Sequence, residues 1–87
     1  MEVELFRRTP VMGRYYKYAL ATRKAWDEKA KTWRYYTTHP FKYMGCFLRS
    51  EYYGSGDGKT YAEIYILNGQ EMRLDYDYER NTCIEEV

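Results

Sequence analysis

Gly54-Ser55-Gly56-Asp57-Gly58-Lys59-Thr60 has the ingredients of a phosphate-binding loop: glycines, then a lysine and a threonine. Such a loop follows Gly-x-x-x-x-Gly-Lys-[Ser/Thr] and opens a helix, whose first N–H groups cradle phosphate. Here the leading glycine would have to stand at Tyr53, and the following Tyr61–Leu67 has the composition of a strand. Glycine with aspartate is ordinary turn chemistry, so the segment reads as a hairpin loop. His39 is the one histidine, and Cys46 and Cys83 are the two cysteines. Metal binding needs three or four converging donors, and these three stand at no ligand spacing. A Cys–His nucleophilic pair would also need an orienting group and an oxyanion site, and no pattern supplies them. The cysteines read as reduced thiols packed like small apolar groups. Asp75, Asp77 and Glu79 alternate without the spacing of a calcium loop. They read as a solvated or salt-bridged sheet face opposite basic strands. No catalytic residue, cofactor or metal site is expected.

The remaining chemistry is aromatic and basic. Arg14, Tyr15, Tyr16, Lys17 and Tyr18, with Trp33, Arg34, Tyr35 and Tyr36, form a candidate interaction surface. Rings stack on bases and Lys or Arg neutralise phosphates, so nucleic-acid binding is one reading. In the other, the rings are core or protein-contact surface, and the basic groups are the solvated edges of strands. A formal net charge of +1 favours the second, since nucleic-acid domains are usually basic. That charge is divided: residues 1–49 carry +7 and residues 50–87 carry −6. In one small domain such halves are expected to lie together and neutralise each other.

The elements that must position these residues read most clearly in the second half. Asn68-Gly69 between Tyr61–Leu67 and Gln70–Tyr78 is a strong hairpin signal, because a type I′ turn needs positive φ at both central residues. The register then sets Leu67 opposite Gln70, Tyr65 opposite Met72 and Tyr61 opposite Tyr76. Met72, Leu74, Tyr76 and Tyr78 share an apolar face with Tyr61, Tyr65 and Leu67. Arg73, Asp75 and Asp77 share the mixed face with Ala62, Ile64 and Ile66. Tyr43–Tyr53 has bulk on both faces and reads as a central strand, with Gly45 a candidate bulge or bend. These strands make an antiparallel meander over residues 42–78.

The first half permits two readings. Tyr15, Ala19, Thr22, Trp26, Ala30 and Trp33 recur at helical spacing, which would give a helix over residues 15–34 packed on the sheet. With period two, Tyr16, Tyr18, Leu20 and Thr22 line one strand and Trp33, Tyr35 and Thr37 another, with Lys24–Lys31 as the loop between. Clustered Tyr, Trp and Thr favour strands. Val3, Leu5 and Arg7 add a first strand before Pro10. The fold class is therefore mainly β: a curved antiparallel sheet, able to close into a small roll or barrel. The α+β arrangement is the alternative.

At 87 residues the chain is one domain, residues 1–87. Its hydrophobic content of 45% supports a core, but 12 tyrosines put many hydroxyls at its margin, each wanting a partner or water. No run approaches the length of a membrane helix. Met1-Glu2-Val3-Glu4 does not open a secretory signal, so a reducing compartment is expected.

Arg34 to Glu51, with its Thr37-Thr38-His39-Pro40 stretch and Tyr43-Met44-Gly45-Cys46 strand, precedes Gly56-Asp57-Gly58 and then Asp75-Tyr76-Asp77-Tyr78. In this order the pieces resemble small uncharacterised proteins of giant (nucleocytoplasmic large) DNA viruses. In those an aromatic-Thr-Thr-Asn-Pro stretch leads to a Tyr-Val-Gly-Lys strand, a Gly-Asp-Gly turn and a Tyr-Asp-Tyr strand. His39 stands where that pattern has Asn, and Cys46 where it has Lys. The likeness covers residues 34–85. It implies a viral origin and a place in the host cytoplasm or the virion, and it brings no activity or site residues. The function expected is a non-enzymatic accessory or minor virion protein making protein contacts through Tyr-rich strands. A nucleic-acid-binding β domain is the alternative. A small sheet with two aromatic faces cannot bury both alone, so the expected partner is another protein or a second copy, covering the Tyr15–Tyr18 and Tyr35–Tyr36 region. No membrane partner is expected.

Overall fold

The structure is a computed structural model and describes residues 1–53, 61–76 and 81–87. The glycine loop, Asp77, Tyr78 and Glu79 lie outside the described residues. The described residues form eight strands: β1 (Val3–Leu5), β2 (Tyr15–Ala19), β3 (Arg23–Asp27), β4 (Thr32–Thr37), β5 (Lys42–Tyr52), β6 (Tyr61–Leu67), β7 (Gln70–Asp75) and β8 (Cys83–Glu86). They form two antiparallel sheets, in the orders β1-β4-β3 and β7-β6-β5-β2-β8, and neither closes into a barrel.

The meander is present as β5, β6 and β7, and the β6–β7 hairpin follows the expected register. Leu67 faces Gln70 and Tyr65 faces Met72. Tyr76 donates its N–H to the carbonyl of Tyr61, and the two rings stack at 4.7 Å. Asn68 and Gly69 both have positive φ, 54° and 76°, as the turn requires. β5 is central, between β6 and β2. At Gly45 the β2–β5 register shifts: Tyr16 faces Gly45, Lys17 faces Tyr43, and Met44 is the extra residue. Gly45 has φ of 93°, so the expected bulge sits where only glycine is comfortable.

Residues 15–34 contain no helix. They form β2, β3 and the start of β4. Helical spacing of aromatics loses here because β2 and β4 have partners on both sides, and each pairing satisfies a full row of backbone groups. Lys24–Lys31 is not simply a loop, since its first part belongs to β3. Leu20 and Thr22 lie beyond the end of β2. The sheet is also not single, because β1, β3 and β4 separate from the rest.

One face of the large sheet carries the main core. Tyr16, Met44, Phe47, Tyr65, Leu74 and Ile84 are buried there, with Tyr18 and Met72 packed against them. Tyr65 meets Tyr16 and Phe47 edge to face, with centroids 6.2 and 5.3 Å away, a favoured geometry for aromatic pairs. The buried hydroxyls have partners: Tyr16 accepts from the N–H of Val11, and Tyr65 donates to Glu63. The opposite face carries charge. Arg49 pairs with Glu51 and Glu71, and Arg73 with Asp75, on either side of buried Ile64. Both arginines are cross-strand neighbours of Ile64, where long aliphatic stems can cover an apolar side chain. A second, smaller core of Leu5, Ala19 and Cys83, with Ala21, Tyr35 and Phe41, joins the two sheets.

Arg7 and Glu63 form the buried link between the two halves. Glu63 alternates onto the apolar face beside Tyr65 and is 2% exposed. Arg7 donates to Glu63 Oε2 at 2.9 Å, to the Tyr61 hydroxyl at 2.6 Å and to the carbonyl of Thr82 at 3.3 Å. Its guanidinium also lies over the Tyr76 ring, 5.1 Å from the centroid. One side chain thereby ties the segment after β1 to β6 and to the approach to β8. Arg14–Glu86 and Arg49–Glu71 also cross between the basic and acidic halves, so the divided charge does neutralise itself in part. Arg49–Glu51 spans the boundary between the halves, and the other ion pairs of the described residues lie within one half or the other.

Candidate functional site

The three-stranded sheet presents two unlike faces. Alternation puts Glu2, Glu4, Arg23, Asp27, Arg34 and Tyr36 on one of them. Arg34 bridges Glu4 at 2.8 Å and Asp27 at 2.6 Å, and Arg23 holds Glu2 at 2.7 Å while lying 4.1 Å over the Tyr36 ring. The N–H of Ala30 and the Arg34 guanidinium hold the Asp27 carboxyl below its ordinary range, and the N–H of Lys29 adds to this. Hydrogen bonds from Arg34 to Glu4 and Asp27 raise the Arg34 pKa further. This face is closed by its own charges.

The other face is apolar and open at its outer end. Trp26 of β3 stands opposite Trp33 of β4, ring centroids 5.4 Å apart in a T-shaped contact. The two residues are 48% and 44% exposed. Lys24 places its Nζ 4.6 Å from the Trp33 centroid, a cation–π contact. The indole N–H of Trp26 donates to Glu28 at 2.9 Å, and Lys31 pairs with Glu28 across the turn. Asp27 Oδ1 accepts from the N–H groups of Lys29 and Ala30, and Lys31 takes a positive φ of 55° to close the hairpin. The inner end of the same face, Leu5 and Tyr35, enters the second core. Three exposed side chains, Lys24, Trp26 and Trp33, are therefore held on a rigid two-strand ribbon.

The nine residues singled out in the sequence do not form one surface. Tyr15, Tyr16, Lys17 and Tyr18, with Arg14 just before them, belong to the large sheet, and Trp33, Arg34, Tyr35 and Tyr36 to the small one. Tyr16 is 1% exposed and is core, and Tyr18 packs on that core. Tyr15 is exposed, Arg14 pairs with Glu86, and Lys17 lies over Phe41. Arg34 and Tyr36 point to the ionic face. Trp33 and Tyr35 lie on the other face, Tyr35 at its buried inner end and Trp33 at the open end, where Trp26 and Lys24 join it. A tryptophan at each end of a charged turn was the signal that could have paired them.

Elsewhere, Tyr18, Ala19, Leu20, His39, Pro40, Phe41 and Lys42 line an open cleft of about 460 Å³. Among the described residues, no carboxylate lines it. Burial pushes the Cys83 thiol up to about 11, which suits packing and not nucleophilic attack. Cys46 pairs beside Tyr15 and Cys83 beside Ala19, on opposite sides of β2. That is about 13 Å along the strand, too far for a disulfide. Both thiols are free. Alkylation of the native protein at neutral pH is expected to modify half-exposed Cys46 first and to leave Cys83 intact until denaturant is added. Peptide mapping by mass spectrometry checks this, and early labelling of Cys83 would contradict it.

No protein-family model, curated protein or solved structure matches the chain. Among the described residues, no helix is long and apolar enough to cross a membrane.

Proposed function

We propose that the chain is a non-enzymatic protein-binding domain whose contact surface is the Lys24–Trp26–Trp33 face of the small sheet. The observation that carries this is the exposed indole pair on a face whose reverse is sealed by ion pairs. Clustered exposed apolar side chains mark interaction sites, and tryptophan is the residue type most enriched at the energetic centre of protein interfaces. The resemblance to small proteins of giant DNA viruses supplies the context: an accessory or minor virion protein, in the host cytoplasm or the particle.

Affinity capture from host cells, followed by mass spectrometry, tests the reading with wild type and a Trp26→Ala/Trp33→Ala variant. Proteins retained after nuclease treatment by wild type and lost with the variant are expected. Equal capture by both proteins would overturn it.

Binding to single-stranded nucleic acid is the second reading, favoured by the Lys24 ammonium beside Trp33. The T-shaped contact and that ammonium occupy ring surfaces a stacked base would need, so protein contact ranks first. A salt-dependent fluorescence change on titration with oligonucleotides would reverse the order.

A further inference from the structure

β3 has β4 on one side and no described strand on the other. Its sequence, Arg23-Lys24-Ala25-Trp26-Asp27, is complementary to itself when reversed. The geometry points to a two-fold dimer in which β3 pairs antiparallel with β3 of a second copy, centred on Ala25. This rests on the aromatic face being a contact surface, and it names one occupant of it.

In that register Arg23 stands opposite Asp27 of the second copy, on the ionic face. Each existing row of charges would continue across the axis, running Glu2, Arg23, then Asp27, Arg34 and Glu4 of the second copy. On the aromatic face Lys24 stands opposite Trp26 of the second copy. The two Trp26 indoles become diagonal neighbours, close enough for aromatic contact, and four indoles form one patch. The two small sheets join into a six-stranded sheet, β1-β4-β3 followed by its mirror order.

The neighbouring registers are worse on charge. Two-fold pairing moves the centre by whole residues, because opposed pairs must be of the same kind on both sides. Centring on Lys24 sets two ammonium groups opposite each other. Centring on Trp26 sets Arg23 against Lys29. Like charges directly opposite are unfavourable. β1, β7 and β8 also end sheets, but none has exposed indoles along its edge. A lysine on an edge strand can equally serve to prevent pairing, which makes the monomer the competing outcome.

Two measurements on the full chain decide it. Sedimentation equilibrium over a wide concentration range is expected to give dimer mass for wild type. Arg23→Glu is expected to shift the equilibrium about tenfold or more toward monomer, with an unchanged circular dichroism spectrum. Under mild oxidation, Ala25→Cys is expected to form an inter-chain disulfide that neither wild type nor Lys24→Cys forms. In this register two Lys24 positions lie beyond the reach of about 7 Å between Cα atoms. Monomer mass throughout overturns the inference. So does a dimer that tolerates Arg23→Glu, or one that gives no Ala25→Cys cross-link. A monomer would leave Trp-dependent capture of other proteins standing, and a dimer would stand if capture found nothing, so the two readings fail separately.

Discussion

Arg7→Met is expected to destabilise the fold by about 3 kcal/mol, the lower end of the range for removing one partner of a buried ion pair. The lower end applies because the Arg7 side chain is 24% exposed whereas that of Glu63 is 3% exposed. For a domain of this size that is a large share of the total. The loss should also depend on pH. Burial holds the Glu63 carboxyl above its ordinary range, with Arg7 pulling it back down. Burial likewise opposes the Arg7 charge, but Glu63 and Tyr61 outweigh it and raise the pKa. A folded pKa above the unfolded value means that the protonated carboxyl is the better accommodated form. The stability it lends is full below the unfolded value and is lost as pH rises through the raised one. Without Arg7 the rise is larger. The gap between wild type and Arg7→Met should therefore be widest near pH 7 and narrow on acidification toward pH 5. Adding Glu63→Gln to Arg7→Met should recover part of the stability and flatten the pH dependence. Urea unfolding at both pH values checks all three. A gap that is the same at pH 5 and pH 7 would show that Arg7 acts through packing alone.

Gly45→Ala is expected to cost about 4 kcal/mol or more, enough to prevent folding or nearly so. A Cβ at Gly45 would lie 2.1 Å from the carbonyl oxygen of Ile66, and the backbone holds φ at 93°. The obstruction is main chain in the neighbouring strand β6, which cannot turn aside as a side chain can. Gly69→Ala is the control. It also has positive φ, but nothing lies within 4 Å of its added Cβ, so it should lose only about 1 kcal/mol through conformational preference. Thermal melts of the two variants check the contrast, and comparable losses would show that φ alone matters at Gly45.

What was legible in the chain was what local chemistry decides. Asn68-Gly69 specifies its turn and, through it, the register of β6 against β7, because the constraint lies within adjacent residues. Gly45 announced a bulge because few other roles suit a glycine amid bulky strand residues. β3 was not legible. Arg23-Lys24-Ala25-Trp26-Asp27 has no β-branched residue, and its strand character comes from β4: Trp33 across from Trp26 and Arg34 beside Asp27. β8 is similar, since Cys83–Glu86 is a strand only because β2 offers it an edge. Glu63 was not among the residues singled out in the sequence, although alternation between Tyr61 and Tyr65 puts it on the core face, where a carboxylate demands a partner. Arg7 could not be picked out as that partner, because the segment bearing it meets β6 only in the folded chain. For the same reason the aromatic residues near Tyr16 and near Trp33 looked like one surface. Spacing along the chain does not say which sheet a strand joins.

The pairing of β2 with β8 sets a clock on folding. Arg14, just before β2, and Glu86 of β8 are 72 residues apart, yet the two strands are neighbours. β1, β3 and β4 can assemble once residue 37 has been synthesised. β2 receives its outer neighbour only when residue 86 has been made. Until then Ala19 lacks its partner Cys83, and one edge of β2 is open to whatever it meets. Closing so long a loop before any contact rewards it is slow, and all-β chains dominated by distant pairings fold in milliseconds to seconds. The nascent chain would therefore pass through a stage with its small sheet formed and its large sheet unfinished, and β2 is the stretch a chaperone would find exposed at that stage.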